Sequence, residues 1–216
     1  MKVDFGDVLK NSFYFLIKDD TILILALIYT VIGLIVGFFG VGTINLASTA
    51  MNIPTYTVAA FGAVSILLAL LGLYFSAVIF LRVNKGLKGD KLYKKALSRY
   101  PALIGTSILS GIVVVLGLIA LVVPGIFLAI KLSVAGPASV LDDKNPIEAM
   151  KASWDATTGS WWEIFAVFLV ISVIVSIIGL VPYISSFFAF SGVIAMALIF
   201  GSLFGKRRKT GARRYR

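Results

Sequence analysis

Residues 21–81 read TILILALIYTVIGLIVGFFGVGTINLASTAMNIPTYTVAAFGAVSILLALLGLYFSAVIFL, 61 consecutive positions without an Asp, Glu, Lys or Arg. A helix needs about 20 apolar residues, rising 1.5 Å each, to cover the ~30 Å of bilayer hydrocarbon. The stretch therefore holds two crossings. Outward from it the pattern recurs: between Tyr100 and Leu141 the only charge is Lys131, and from Ile164 to Gly205 there is none. Three such stretches, two without charge and one with Lys131 alone, each hold two crossings and predict an all-α polytopic membrane protein, with six transmembrane helices arranged as three hairpins. We place the spans at about 21–40, 57–81, 102–123, 126–141, 162–181 and 184–204. They form one domain, 1–205, followed by a basic tail, 206–216.

Composition agrees. The 216 residues are 59% hydrophobic and 14% charged, with a mean hydropathy of +1.01. Soluble domains run about 45–50% apolar and about 25% charged. The chain contains no cysteine and no histidine, which excludes a disulfide scaffold and a zinc module. Runs such as SILLALLGLYFSAVIFL are apolar all round, without the alternation of a barrel strand. Asp4, Asp7, Asp19 and Asp20 argue against reading the N-terminus as a signal peptide.

The charges set an orientation. Apart from Lys131, every Lys and Arg falls in the N-terminal segment, the 82–99 loop, the 142–163 loop or the tail. The turns within hairpins, at 41–56, Pro124–Gly125 and Val181–Tyr183, carry none. Loops rich in Lys and Arg stay cytoplasmic, so both termini are predicted to be cytoplasmic, with the chain in the cell (plasma) membrane. The basic loop and tail, including Lys206, Arg207, Arg208 and Lys209, either contact anionic lipid headgroups or serve orientation and anchoring alone. No folded module accompanies the tail, so nucleic acid is not an expected partner.

A charged, helically periodic segment precedes each hairpin, at about 3–18, 91–99 and 145–158. Phe5, Val8, Leu9, Phe13, Leu16 and Ile17 form an apolar stripe in the first. In the third, Asn145–Pro146 with Glu148 marks a helix start and Gly159 a stop. Such helices are expected to lie at the inner interface. Trp154, Trp161 and Trp162, the only tryptophans, fall in this region as interfacial anchors.

The run PGIFLAIKLSVAGPASVLDDKNPIEAMKASWDATTGSWW, residues 124–162, resembles a pattern in poorly characterised polytopic proteins. They include the membrane domain attached to some bacterial glycerophosphodiester phosphodiesterases, and related archaeal domains of unknown function. The resemblance rests on Pro124–Gly125, Pro137, Asp142–Asp143, Glu148–Ala149, Ser153–Trp154, Thr158–Gly159 and Trp161–Trp162. It implies a six-span membrane domain and lipid-related partners, but no phosphodiesterase activity, which resides in a separate soluble domain.

Lys131 is the one ionisable residue well inside a span, and a charge there is a functional candidate by default. With Ser133 and Glu163 it makes a candidate site for a ligand or lipid headgroup; alternatively Lys131 snorkels along its own stem. Glu163 also suits a helix N-terminus, and pairing it with Lys131 is a further possibility. Pro124, Gly125, Gly136 and Pro137 predict breaks that leave the fourth helix short, kinked and internal; residues 102–141 would otherwise form a re-entrant hairpin. Hydroxyls at Thr106, Ser107, Ser110, Ser172 and Ser176 either line a polar interior or bond back to their own backbone.

No metal-ligand spacing, cofactor motif or catalytic constellation is present, so an enzyme is not expected. Two functions stay in view. One is a lipid-interacting or assembly protein, partnered by membrane lipids, other membrane proteins or a second copy of itself. The alternative is a transporter or channel for a small solute, working through the kinked fourth helix and Lys131.

Overall fold

The sequence folds into helices joined by very short breaks, seen in a computed structural model that describes residues 5–33, 55–178 and 190–204. Helices α1 (Phe5–Lys18) and α2 (Asp20–Gly33) are separated only by Asp19. The Asp19 carboxylate accepts from the backbone N–H groups of Thr21 and Ile22 at 3.1 and 3.3 Å, so it caps α2. Its other oxygen accepts from Arg82 Nε at 2.8 Å. One carboxylate thus fixes the corner and ties it to the next helix. The expected stripe on α1 is only partly inward, with Val8 and Leu16 buried and Ile17 exposed.

Next come α3 (Thr55–Lys85) and α4 (Gly89–Ala120), a long antiparallel pair. Their packing level is marked by the Tyr100 hydroxyl, which donates to the Leu70 carbonyl at 2.7 Å, and by the edge-to-face rings of Tyr74 and Tyr100. α3 is divided along its length. Residues 77–81 are buried all round, whereas Ile66 and Leu67 are 63% and 65% exposed. A continuous apolar rod with one end enclosed by protein and the other bare is what a helix entering lipid presents.

Residues 91–99, expected as a separate interfacial helix, are instead the opening turns of α4, which runs unbroken through Pro101. The reversal expected at Pro124–Gly125 occurs at Leu121, whose extended backbone (φ −165°, ψ 149°) ends α4 and starts α5 (Val122–Lys131). Pro124 falls in the first turn of α5, where a missing N–H leaves no intrahelical bond unmade. Gly125 lets α4 and α5 approach: a Cβ there would sit 2.8 Å from Leu118 Cα. The same logic moves the second break. Pro137 occupies the first turn of α6 (Ala135–Leu141), and the chain is interrupted before it, at residues 132–134.

α7 (Pro146–Thr157) begins with the capping box its sequence announces. Asn145 Oδ1 accepts from Glu148 N at 2.9 Å, and Glu148 Oε2 accepts from Asn145 N at 3.2 Å. It packs against α6 and α4. α8 (Trp161–Ile178) follows after Gly159, whose φ of +90° suits glycine alone, and is turned 101° from α7. α9 (Phe190–Phe204) returns beside α3, joined by Asn84 Nδ2 donating to the Ala197 carbonyl at 2.9 Å.

Three segments are long and apolar enough to cross a membrane: Gly62–Lys85, Gly89–Ala120 and Val122–Leu141, the last combining α5 and α6. The bent pair α7–α8 passes the same test only as a unit, and α2 and α9 are shorter apolar helices. The architecture is therefore all-helical among the described residues and compatible with a membrane protein. Residues 41–54 of the first expected turn, the turn at 181–183, and the tail with Lys206, Arg207, Arg208 and Lys209 lie outside the described residues, while residues 55 and 56 already belong to α3.

Candidate functional site

Two helix ends meet at Lys131. It is the last residue of α5, where the unpaired carbonyls of the final turn favour a cation. Its own carbonyl is held from α7, where Ser153 Oγ donates to it at 2.7 Å; Thr157 Oγ1 lies 3.3 Å from it but is nearer the Ser153 carbonyl, at 2.9 Å. Its side chain reaches the residue that ends α7, with Nζ donating to Thr158 Oγ1 at 2.8 Å. One lysine is thereby gripped at backbone and side chain by a single helix terminus.

The ammonium is boxed by aromatic faces. Nζ lies 5.2 Å from the Trp154 ring centre and 5.6 Å from that of Phe127, both inside cation–π range. Lys131 is 6% exposed, yet among the described residues it forms no ion pair. An ammonium carries three donors, and Thr158 satisfies one. Thr158 itself is exposed. Burying a cation without a counter-charge is unfavourable unless it is otherwise solvated or paired. Two rings and one hydroxyl supply part of that solvation.

The aromatic cluster continues into α8. Phe127 stacks with Trp161 at 5.9 Å, and Trp161 stacks with Phe165 at 5.2 Å and 6°. Trp162 meets Trp161 edge-on at 4.7 Å and is 73% exposed. Between α5 and α8 these rings, with Val123 and Ile126, line an apolar groove of about 530 Å³. A second groove of about 600 Å³ lies elsewhere, between Tyr29 of α2, Gly72 and Ser76 of α3, and Phe190 of α9.

The other expected site residues fare differently. Ser133 donates back to the Ile130 carbonyl at 2.8 Å. Glu163 stands half-buried in the first turn of α8 and makes no ion pair with Lys131. Pro124 and Gly125 position α5, while Gly136 and the buried Pro137 open α6. Of the hydroxyls, Thr106 and Ser172 bond to carbonyls of their own helices, whereas the shielded Ser110 Oγ has no partner among the described residues. Sequence analysis missed Thr158, Ser153 and Thr157 as partners of Lys131. Their shared signal was a run of small polar residues ending an amphipathic helix.

At the charged end of the bundle, Asp143 accepts from Lys95 at 2.8 Å and pairs with Arg99. The hydrogen bond from Lys95 holds its carboxyl below the usual range, with Arg99 adding to the effect. Asp142 pairs with Lys144 at 2.9 Å, and Lys85 Nζ donates to the Leu141 carbonyl at 2.7 Å. Asp143 thus fastens the α6–α7 turn to α4, the Asp142–Lys144 pair lies within the turn, and Lys85 ties the end of α6 to α3.

A family model described as a domain of unknown function, DUF7847, matches residues 96–205, just over half of the chain. No curated protein matches, and no solved structure matches.

Proposed function

The chain belongs to the DUF7847 family, and we propose that it is an integral membrane protein that interacts with lipid, its Lys131 ammonium meeting an anionic headgroup. The observation that carries this is a buried ammonium with no carboxylate partner among the described residues, bonded to the exposed Thr158 and close to an apolar groove. The relation to the membrane domain attached to glycerophosphodiester phosphodiesterases belongs to the same proposal and rests on residues 124–162 alone.

Helix lengths support a headgroup depth for Lys131. α3 and α4 are 31 and 32 residues, about 46 and 48 Å at 1.5 Å per residue, so each exceeds ~30 Å of hydrocarbon by about 16–18 Å. α7 exposes Glu148, Lys151 and Asp155, which belong out of hydrocarbon. It touches α4 at one end, through Pro146 against Gly105, and Lys131 at the other. An α7 lying along the interface brings Lys131 to the level of Trp154, Trp161 and Trp162. The 101° turn then sends α8 into the bilayer. Beyond Lys131 only α5's ten residues remain, about 15 Å, which favours a shallow α4–α5 hairpin over a full fourth crossing. The clustered lysines and arginines support a reading in which this face is cytoplasmic and the membrane is the plasma membrane.

Native mass spectrometry of the purified chain tests the reading. Lys131→Met keeps the stem and removes the charge, and should reduce bound anionic lipid while leaving bound zwitterionic lipid unchanged. Identical lipid profiles would refute it. Solute flux in proteoliposomes, abolished by the same substitution, would establish the transporter instead.

A further inference from the structure

Val123, Phe127 and Lys131 are spaced four residues apart, so they share one face of α5 over about 12 Å of its length. Helical side chains lean toward the N-terminus, and Lys131 accordingly reaches back over Phe127. Phe127 also walls the groove that continues past Ile126 to Val123. The opposite wall is Trp161 and Phe165 of α8, again four residues apart, with parallel stacked rings. A cation one helical turn beyond an apolar groove matches the two ends of a lipid. The volume of about 530 Å³ lies within the roughly 300–1,000 Å³ of small-molecule sites.

Building on the headgroup role of Lys131, we propose that this groove holds one acyl chain of the same anionic lipid, running from Phe127 toward Val123. The charge decides the occupant. A neighbouring apolar helix would fill the trough but leave the ammonium without an anion, whereas a lipid supplies both parts from one molecule. Trp162, at the mouth, is exposed enough for the chain to enter sideways from the bilayer.

The chain's three tryptophans all sit at this site, so intrinsic fluorescence reports on it directly. Full-length protein would be reconstituted in phosphatidylcholine vesicles containing a small fraction of lipid brominated on one acyl chain, either phosphatidylglycerol or phosphatidylcholine. Brominated phosphatidylglycerol should quench as though enriched about fivefold near the tryptophans, the ratio one lysine beside an anionic headgroup gives. Lys131→Met should abolish the enrichment. Val123→Phe, which narrows the trough, should remove the bromine quenching yet keep the anionic lipid seen by mass spectrometry. Without any substitution, short-chain phosphatidylglycerol should compete at least tenfold less well than the long-chain form. If Lys131-dependent enrichment persists but neither Val123→Phe nor chain length matters, the acyl chain lies elsewhere and this inference fails while the headgroup role stands. If no enrichment depends on Lys131, both fall.

Discussion

Replacing Gly125 by alanine tests how α5, and with it Lys131, is positioned. A Cβ at Gly125 would collide with the Leu118 side chain and come within 2.8 Å of Leu118 Cα, a distance real Cβ atoms essentially never show. A side-chain tip can rotate away, but Cα cannot, so α4 and α5 must separate. Gly117 lies on the same seam, where a Cβ would stand 3.1 Å from Gly125 Cα, so the shift spreads along the hairpin. Overpacking of this kind costs about 1–3 kcal/mol, and the backbone contact puts Gly125→Ala at about 2–3. For a chain of this size that lowers Tm by about 4–12 °C. Thermal melting in detergent, followed by circular dichroism, measures it. Gly111→Ala is the control: it lies on the same helix as Gly117 with nothing within 4 Å, so its Tm should hold or rise. Leu118→Ala in the Gly125→Ala background should recover part of the loss. A Gly125→Ala protein as stable as wild type, or a Gly111→Ala protein equally weakened, would refute the close approach.

Asp19→Ala removes both the cap of α2 and the partner of Arg82, and should destabilise by about 2–3 kcal/mol. Asp19→Asn retains a capping oxygen and should lose less, as denaturant titration of the two variants would reveal. Ser153→Ala frees the Lys131 carbonyl of its shorter hydrogen bond, for a loss of about 1 kcal/mol; an unchanged melting curve would discount the α5–α7 clasp. Asp143 offers a pH test. Its carboxyl is held below the usual value, chiefly by the hydrogen bond from Lys95, so its contribution is complete above the ordinary carboxylate range and fades as pH falls through the lowered value. The Tm difference between wild type and Asp143→Asn should be constant and small from neutral pH to mildly acidic conditions, since the pair is partly exposed. It should vanish only in strong acid, and a difference that disappears near neutrality would contradict the assignment.

The helical class and helices apolar enough to suit a membrane were legible in residues alone, because hydropathy and charge are summed properties that need no partner. The start of α7 was equally legible: Asn145, Pro146 and Glu148 act within one turn, and a capping box is local chemistry. Breaks were readable in kind but displaced in place. Proline and glycine announce an interruption near 124 and 137, but both prolines are accommodated as first-turn residues, so the chain reverses at Leu121 and yields at residues 132–134.

Lys131 itself stood out in the sequence as the one charge inside an apolar stretch. Its surroundings did not. Ser133 and Glu163 are its near neighbours by hydropathy or position, yet the groups that hold it, Ser153, Thr157 and Thr158, are 22 to 27 residues away and come from a helix that folds back on α6. Periodicity says which residues share a helix face, and composition says which solvent that face prefers. Which faces meet is set by helix crossing and by the tight glycine contact between α4 and α5, and those are long-range packing events that no local pattern encodes.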